Sequence, residues 1–244
     1  MSDTVIWHDL ECGRYERDLP LWLDLAATYG AGRTILDVGA GTGRVSLALG
    51  RAGYSMIALD YDAELLAELA LRVGGLPIKP VLGDARDFKL SEGPFGLCIV
   101  PMQTLQLLGG ENGRVGFMRS ARSHLADGGV VAVAIADADD FEEFEWHEGD
   151  PYPLPDMLEL DGCLYSSQPT AVRRDGGTFV LERRREVVDH TGGHRQDADR
   201  IALDVVTASD VEEAGLRAGL KPLAIQDVPP TGEHIGSEVV ILGL

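Results

Sequence analysis

Basic residues and thiols are scarce in this chain. Lysine occurs only at Lys79, Lys89 and Lys221, and 21 basic side chains face 40 acidic ones, a formal net charge of −19. A surface this acidic repels phosphate backbones and argues against a nucleic-acid substrate. Cysteine is confined to Cys12, Cys98 and Cys163, an odd, scattered set that offers neither a disulfide framework nor zinc-ligand spacing. No apolar run approaches the roughly 18 residues of a membrane span, and the polar N-terminus lacks the basic-then-apolar order of a signal peptide. No internal repeat or low-complexity tract is visible. These absences lead to the expectation of a cytoplasmic protein with no membrane partner. At 244 residues, 45% hydrophobic and 25% charged, one enlarged domain is expected rather than two.

What is present is concentrated between residues 34 and 62, TILDVGAGTGRVSLALGRAGYSMIALDYD. Ile35 to Val38 is an apolar run of parallel-strand type. Gly39, Gly41 and Gly43 follow on alternate positions, where the backbone needs positive φ or must let a ligand come close. Val45, Leu47, Ala48, Leu49 and Ala52 then recur at helical spacing, and Gly53 stops the helix. A second apolar strand, Ser55 to Leu59, ends on Asp60, an acid placed to accept two hydrogen bonds from a ribose diol. The dinucleotide fingerprint is G-x-G-x-x-G; here the pattern is D-x-G-x-G-x-G, from Asp37 to Gly43.

This pattern, LDVGAGTGR, resembles motif I of the class I S-adenosylmethionine (SAM) dependent methyltransferases, and the resemblance extends to about residue 136. It implies an α/β, Rossmann-like, seven-stranded, mostly parallel sheet with strand seven antiparallel between five and six. It also implies SAM as cofactor and S-adenosylhomocysteine (SAH) as product. On the resemblance, the cofactor contacts are Asp37, Gly39, Ala40, Gly41, Gly43, Asp60 and its neighbour Tyr61. In GDARDF, Asp84 takes the place of the acid that accepts from the adenine amino group, and Ala85 of the backbone N–H that reaches the ring. Pro101, Met102 and Gln103, after the strand Phe95 to Val100, line the methionine end or the acceptor pocket. An N-terminal segment covers the cofactor in related enzymes, which makes Trp7 and Tyr15 candidates there. The family's usual acid near the start of strand four is replaced by Gly96.

The remaining elements follow from periodicity and turn residues. A helix is expected from about Arg14 to Tyr29, with Pro20 as a kink or as the true start. Others are expected at Ala63 to Val73 and Asn112 to Leu125, with strands at Pro77 to Leu82 and Val130 to Ala136. Alternation then stops. Between Asp137 and Asp161 stand eleven acids without a Lys or Arg, and between Ala171 and Arg200 seven arginines. Met157 to Ser166, Gly177 to Val188 and Arg200 to Val206 read as strands, joined by Asp175-Gly176-Gly177 and Thr191-Gly192-Gly193 turns. This is an antiparallel β insertion after strand five, set over the sheet as an acceptor lid. Its charge blocks could pair with each other or across a homodimer interface, or remain as solvated faces. Ser209 and Glu212 suggest a capping box for a last helix, followed by strands Leu220 to Val228 and Ser237 to Leu244. The expected organisation is a single methyltransferase domain: a helical lid at 1–30, a SAM-binding core at 31–136, the insertion at 137–206 and the sheet's completion at 207–244.

Methyl transfer from a sulfonium is an in-line displacement that needs alignment and exclusion of water. An amine must arrive neutral, whereas a hydroxyl or acidic carbon usually needs a base. His234, beside Glu233 in the loop before the last strand, is the candidate base. Trp7, His8, Trp146 and Glu233 are the candidate acceptor contacts. His147, His190 and His194 lie near proposed lids, while His124 falls in a helix and reads as structural. His190 and His194 have helical metal-ligand spacing, but Gly192-Gly193 between them makes a hairpin, and no metal is expected. The strand-four end has neither Asn-Pro-Pro-Tyr nor Pro-Cys, no Tyr-x-x-x-Lys of a short-chain reductase occurs, and an aminopropyltransferase signature is absent. The expectation is methyl transfer to an N, O or C nucleophile of a small molecule. The alternative is a non-catalytic SAM- or SAH-binding protein on the same fold.

Overall fold

A computed structural model describes residues 1–30, 32–136, 153–231 and 235–244. Its centre is a sheet of β1 (Ile35–Val38), β2 (Met56–Asp60), β3 (Ile78–Leu82), β4 (Phe95–Val100), β5 (Leu125–Ile135), β10 (Lys221–Val228) and β11 (Ser237–Gly243). The strand order is β10-β11-β5-β4-β1-β2-β3, with β11 antiparallel to both its neighbours and β1 to β5 parallel. The expected fold is therefore observed. β1, β2 and β4 are buried at every residue, as continuous apolar strands covered on both faces must be.

Successive side chains point to opposite faces and build two cores. Leu36 and Val38 pack with Phe117 and Met118 of α5 (Gly110–His124) and Val211 of α6 (Ala208–Ala218). Ile35 packs with Trp22 of α2 (Leu19–Tyr29), Leu49 of α3 (Arg44–Arg51) and Leu69 of α4 (Ala63–Arg72). No helix of the described residues is long and apolar enough to cross a membrane.

Several boundaries differ from the sequence expectations. The N-terminal helix begins at Leu19, so Pro20 marks its first turn, where the missing N–H has no helical partner to lose. A separate helix, α1 (Asp3–Glu11), precedes it, with the Ser2 hydroxyl accepting from the Val5 amide at 3.4 Å. The last helix is capped two residues earlier than expected. The Thr207 hydroxyl accepts from the Asp210 amide at 3.2 Å, and the Asp210 carboxylate accepts from the Thr207 amide at 2.9 Å. This reciprocal pair leaves Ser209 inside the helix.

The insertion forms a second, four-stranded antiparallel sheet of β6 (Asp156–Leu160), β7 (Cys163–Asp175), β8 (Thr178–Val188) and β9 (His194–Asp204). The stretch Met157 to Ser166, expected as one strand, turns at Asp161 and Gly162, whose φ values of 51° and 76° suit a tight hairpin. One end of this sheet is fixed to the main body. Asp204 accepts from the Gly110 amide at 2.6 Å and from Arg114 at 3.0 Å, while its carbonyl accepts from Gln106 at 2.9 Å. Phe179 and Leu203 bury themselves with Ala136 beside these bonds. Among the described residues, pairs within the sheet join Arg173 to Glu182, Arg200 to Asp175, Arg185 to Asp199 and Arg183 to Asp156, while Arg185 and Arg195 also reach Glu11 and Asp3 of α1.

Candidate functional site

The turn after β1 places three glycines at positive φ: 74° at Gly39, 55° at Gly41 and 94° at Gly43. Each is also sterically required. A Cβ on Gly39 would stand 2.5 Å from the Thr104 side chain, one on Gly41 would run into the His8 imidazole, and one on Gly43 into Leu69. α3 starts directly after the turn, and its Gly43 N-cap supplies no side-chain acceptor. A helix start leaves its first amides without intrahelical partners, and here the Ser46 amide serves the Asp37 carboxylate.

Two carboxylates flank the turn and are held differently. Asp60, 7% exposed at the tip of β2, accepts from the Gly41 amide at 2.7 Å and from the Asp62 amide at 2.9 Å. A carboxylate has about four lone-pair positions, so Asp60 shapes the turn and still has room to accept from a diol. Asp37 is 1% exposed; its Oδ2 accepts from the Ser46 hydroxyl at 2.6 Å, and its Oδ1 is buried without a hydrogen-bond partner among the described residues. Burial pushes its pKa up to about 6, against the lowering effects of Ser46 and Arg44. An ionisable oxygen so placed is an open acceptor for a donor that is not part of the chain.

The other expected cofactor residues lie along the same strand tips. Tyr61 is 81% exposed after β2. Asp84, after β3, is half-exposed and tied to Arg86, whose guanidinium and amide hydrogen bonds hold its carboxyl below the usual range. Ala85 packs on the core. Beyond β4, Pro101 is buried and its carbonyl accepts from Thr104 at 3.2 Å; Gln103 precedes the short 3-10 turn Thr104–Leu107. Met102, between them, has φ 54°, a conformation uncommon for a side-chain-bearing residue. Ala40 lies buried within the glycine turn.

The expected covering residues take distinct positions. Tyr15 is in the core, 6% exposed, with the Arg44 guanidinium 5.2 Å from its ring centre. Trp7 meets Tyr165 of β7 edge-on at 5.5 Å and lies 5.4 Å from the Arg185 guanidinium. His8, named as an acceptor contact, lies against Gly41 of the glycine turn, 3.4 Å from the Thr42 hydroxyl. His194 reaches Glu186 at 3.4 Å, and His124 accepts from the Leu90 amide, a structural role. Trp146, His147, Glu233 and His234 lie outside the described residues.

Other polar contacts at this site carry no local sequence signal. Asp9 accepts from the Thr42 hydroxyl at 2.7 Å and from Arg72. Burial opposes its ionisation, yet hydrogen bonds from His8, Arg72 and Thr42 prevail and hold its pKa far below the usual range. Arg44 forms a two-pronged pair with buried Asp18 at 2.5 and 2.8 Å, and Asp18 also accepts from the Trp22 indole at 2.8 Å. The Asp9–Thr42, Asp9–Arg72 and Arg44–Asp18 contacts join residues 26 or more apart in the chain, so no spacing rule announces them.

Comparison with known proteins agrees with this geometry. The pattern of a methyltransferase-domain family matches residues 35–129. A cypemycin N-terminal methyltransferase from a Streptomyces species is 32% identical over 127 residues, half of this chain and half of that protein. The chain thus aligns with about half the length of this curated relative. A sugar N-methyltransferase from a Streptoalloteichus species superposes with a TM-score of 0.77 at 18% identity, over 99% of this chain and 92% of that one. A SAM-bound amino pentose methyltransferase from Micromonospora echinaspora gives 0.73 at 19%, over 98% and 96%. These two likenesses speak for the fold.

Proposed function

We propose, on the premise that this chain belongs to the class I SAM-dependent methyltransferases and carries their domain at residues 35–129, that it methylates an amine of a small molecule. The observation that carries the reading is Asp37 Oδ1, a buried, unpartnered carboxylate oxygen beside the glycine turn. It fits the ammonium of the cofactor's amino-acid end. Asp60 fits the ribose diol with its remaining lone pairs, and Gly39, Ala40, Gly41 and Gly43 provide a close backbone approach. Tyr61, Asp84 and Ala85 would hold the adenine, with Arg86 yielding part of its hold on Asp84. Tyr15, Pro101 and Gln103 would close the methionine end. When bound, SAM supplies a methyl group on an activated sulfonium leaving group.

The chain's part is then to orient the acceptor, exclude water and take a proton. An amine is favoured as acceptor because the relative is by name an N-terminal methyltransferase, and the two structural neighbours are a sugar N-methyltransferase and an amino pentose methyltransferase. The net charge of −19 also attracts cations and disfavours nucleic acid. Residues 1–30 would cover the cofactor core at 31–136, residues 137–206 would hold the acceptor, and 207–244 would complete the sheet. Trp7, His8, Trp146 and Glu233 are the proposed acceptor contacts, and His234 the proposed base. His8 would meet the acceptor from its place beside Gly41. The same reading puts the enzyme in the cytoplasm, where Cys12, Cys98 and Cys163 stay as thiols. A homodimer remains part of the proposal through the insertion's charged faces.

The test is incubation with SAM and a panel of small-molecule amines, followed by mass spectrometry. Acceptor-dependent SAH release, with one methyl gained by the amine, is the expected outcome. Tight SAH binding without turnover on any acceptor would favour the non-catalytic alternative.

A further inference from the structure

α1 is wedged between the cofactor turn and the second sheet, and its two sides do different things. Asp3, Trp7 and Glu11 recur every four residues and form one stripe along the helix. All three meet the second sheet. Asp3 pairs with Arg195 at 2.5 Å, Trp7 meets Tyr165 and Arg185, and Glu11 receives both prongs of Arg185 at 2.8 and 2.7 Å. Glu11 also accepts from the Ser167 hydroxyl at 2.7 Å. Asp9, two residues and about 200° around the helix from Glu11, points the other way, to Thr42 and Arg72. His8 next to it covers Gly41.

The second sheet is held at opposite ends by different partners. The Phe179 and Asp204 end is fixed to the main body through Gln106, Gly110 and Arg114. The Tyr165, Arg185 and Arg195 end is held by α1. Six residue steps along β8 take the chain from Phe179 to Arg185, roughly 20 Å in an extended strand. A displacement of α1 therefore acts on this sheet at the end of a long arm. The joint is firm, because Glu11 and Arg185 are largely buried and doubly bonded, so separating them would strand a charge.

We propose that α1 transmits the state of the cofactor turn to the second sheet: a ligand entering against Gly41 meets His8, and the shift of the helix passes through Asp3, Trp7 and Glu11 to Tyr165, Arg185 and Arg195. Cofactor loading then sets the position of the sheet's Tyr165 and Arg185 end before the acceptor arrives. This inference rests on the reading of the glycine turn as the SAM site. It makes Glu11 and Arg185 positioning residues, distant from the reacting atoms.

The test is amide hydrogen exchange with and without SAH, read on residues 163–168 and 184–188. In the wild type, SAH should slow exchange there about fivefold or more, the lower range of coupling between linked sites. Glu11→Gln should bind SAH within about threefold of wild type yet lose that slowing, since only the transmission is cut. Arg185→Lys, which keeps the charge but not the two-pronged bond, should behave alike and serves if Glu11→Gln does not fold. Unchanged exchange in SAH-bound wild type, or slowing retained in a folded variant, would overturn the inference alone. Absence of SAH binding to folded wild type would overturn it together with the cofactor reading.

Discussion

Replacing Asp37 by asparagine should stabilise the ligand-free protein while impairing cofactor binding. Asp37 is fully buried, and burial raises its folded pKa to about 6 from an unfolded value near 3.8. Because the folded pKa lies above the unfolded one, the protonated form favours folding at low pH. That advantage is lost as pH rises from about 4 to 6. Above pH 7 the ionised carboxylate destabilises the fold by roughly 2 × 1.36, or about 3 kcal/mol. Asparagine removes this penalty and can still accept from Ser46, but its amide N–H group, placed where Oδ1 is unpartnered, returns about 1 kcal/mol. The net gain of about 2 kcal/mol corresponds to a melting temperature higher by about 4–8 °C at pH 8 for a chain of this size. Scanning calorimetry across pH should show the difference shrinking toward pH 4. Titration with SAH should show the cost: affinity about tenfold or more weaker in the variant, through loss of a charge-assisted bond. Wild-type affinity should itself fall about tenfold between pH 8 and pH 5, as Asp37 takes up a proton. A variant that is less stable than wild type at pH 8, or one that binds SAH equally well, would refute this account of the unpartnered oxygen.

Three further substitutions test other joints. Gly41→Ala adds a methyl at φ 55° that meets His8, so it should lower stability by about 1–3 kcal/mol in urea titration and also weaken SAH binding; an unperturbed protein would contradict the packing of His8. Asp18→Ala strands the buried Arg44 guanidinium and should cost about 3–5 kcal/mol in the same assay, against under 1 kcal/mol for an exposed pair. Thr207→Ala removes the helix cap and should cost about 1 kcal/mol, whereas Ser209→Ala should change little.

Local sequence carried the parts of the fold that local physics decides. The β1 turn and the all-apolar β4 were readable because glycine at positive φ and burial on both sides leave few residue choices. α1 went unread because its short amphipathic stripe, Asp3, Trp7 and Glu11, gains meaning only from a sheet that follows about 160 residues later. The turn at Asp161-Gly162 was hidden by the strand-like residues on each side of it. Ser209 and Glu212 matched the capping pattern as well as Thr207 and Asp210 did, and backbone geometry alone separates them. The positive-φ glycines of the turn and the acid at the tip of β2 were legible as local structure. The placement of His8 on Gly41, the Asp9 contacts and the coupling of Glu11 to Arg185 are long-range pairings that a single sequence does not encode in its spacing.

The central claim is that the glycine turn binds SAM through Asp60. Calorimetric titration of SAH into wild type and Asp60→Ala, each shown to be folded and free of carried-over ligand, tests it most directly. The account predicts micromolar binding by wild type and an affinity at least about tenfold weaker in the variant, the loss expected of charge-assisted hydrogen bonds. Equal affinity in both proteins, or no binding by wild type, would contradict it.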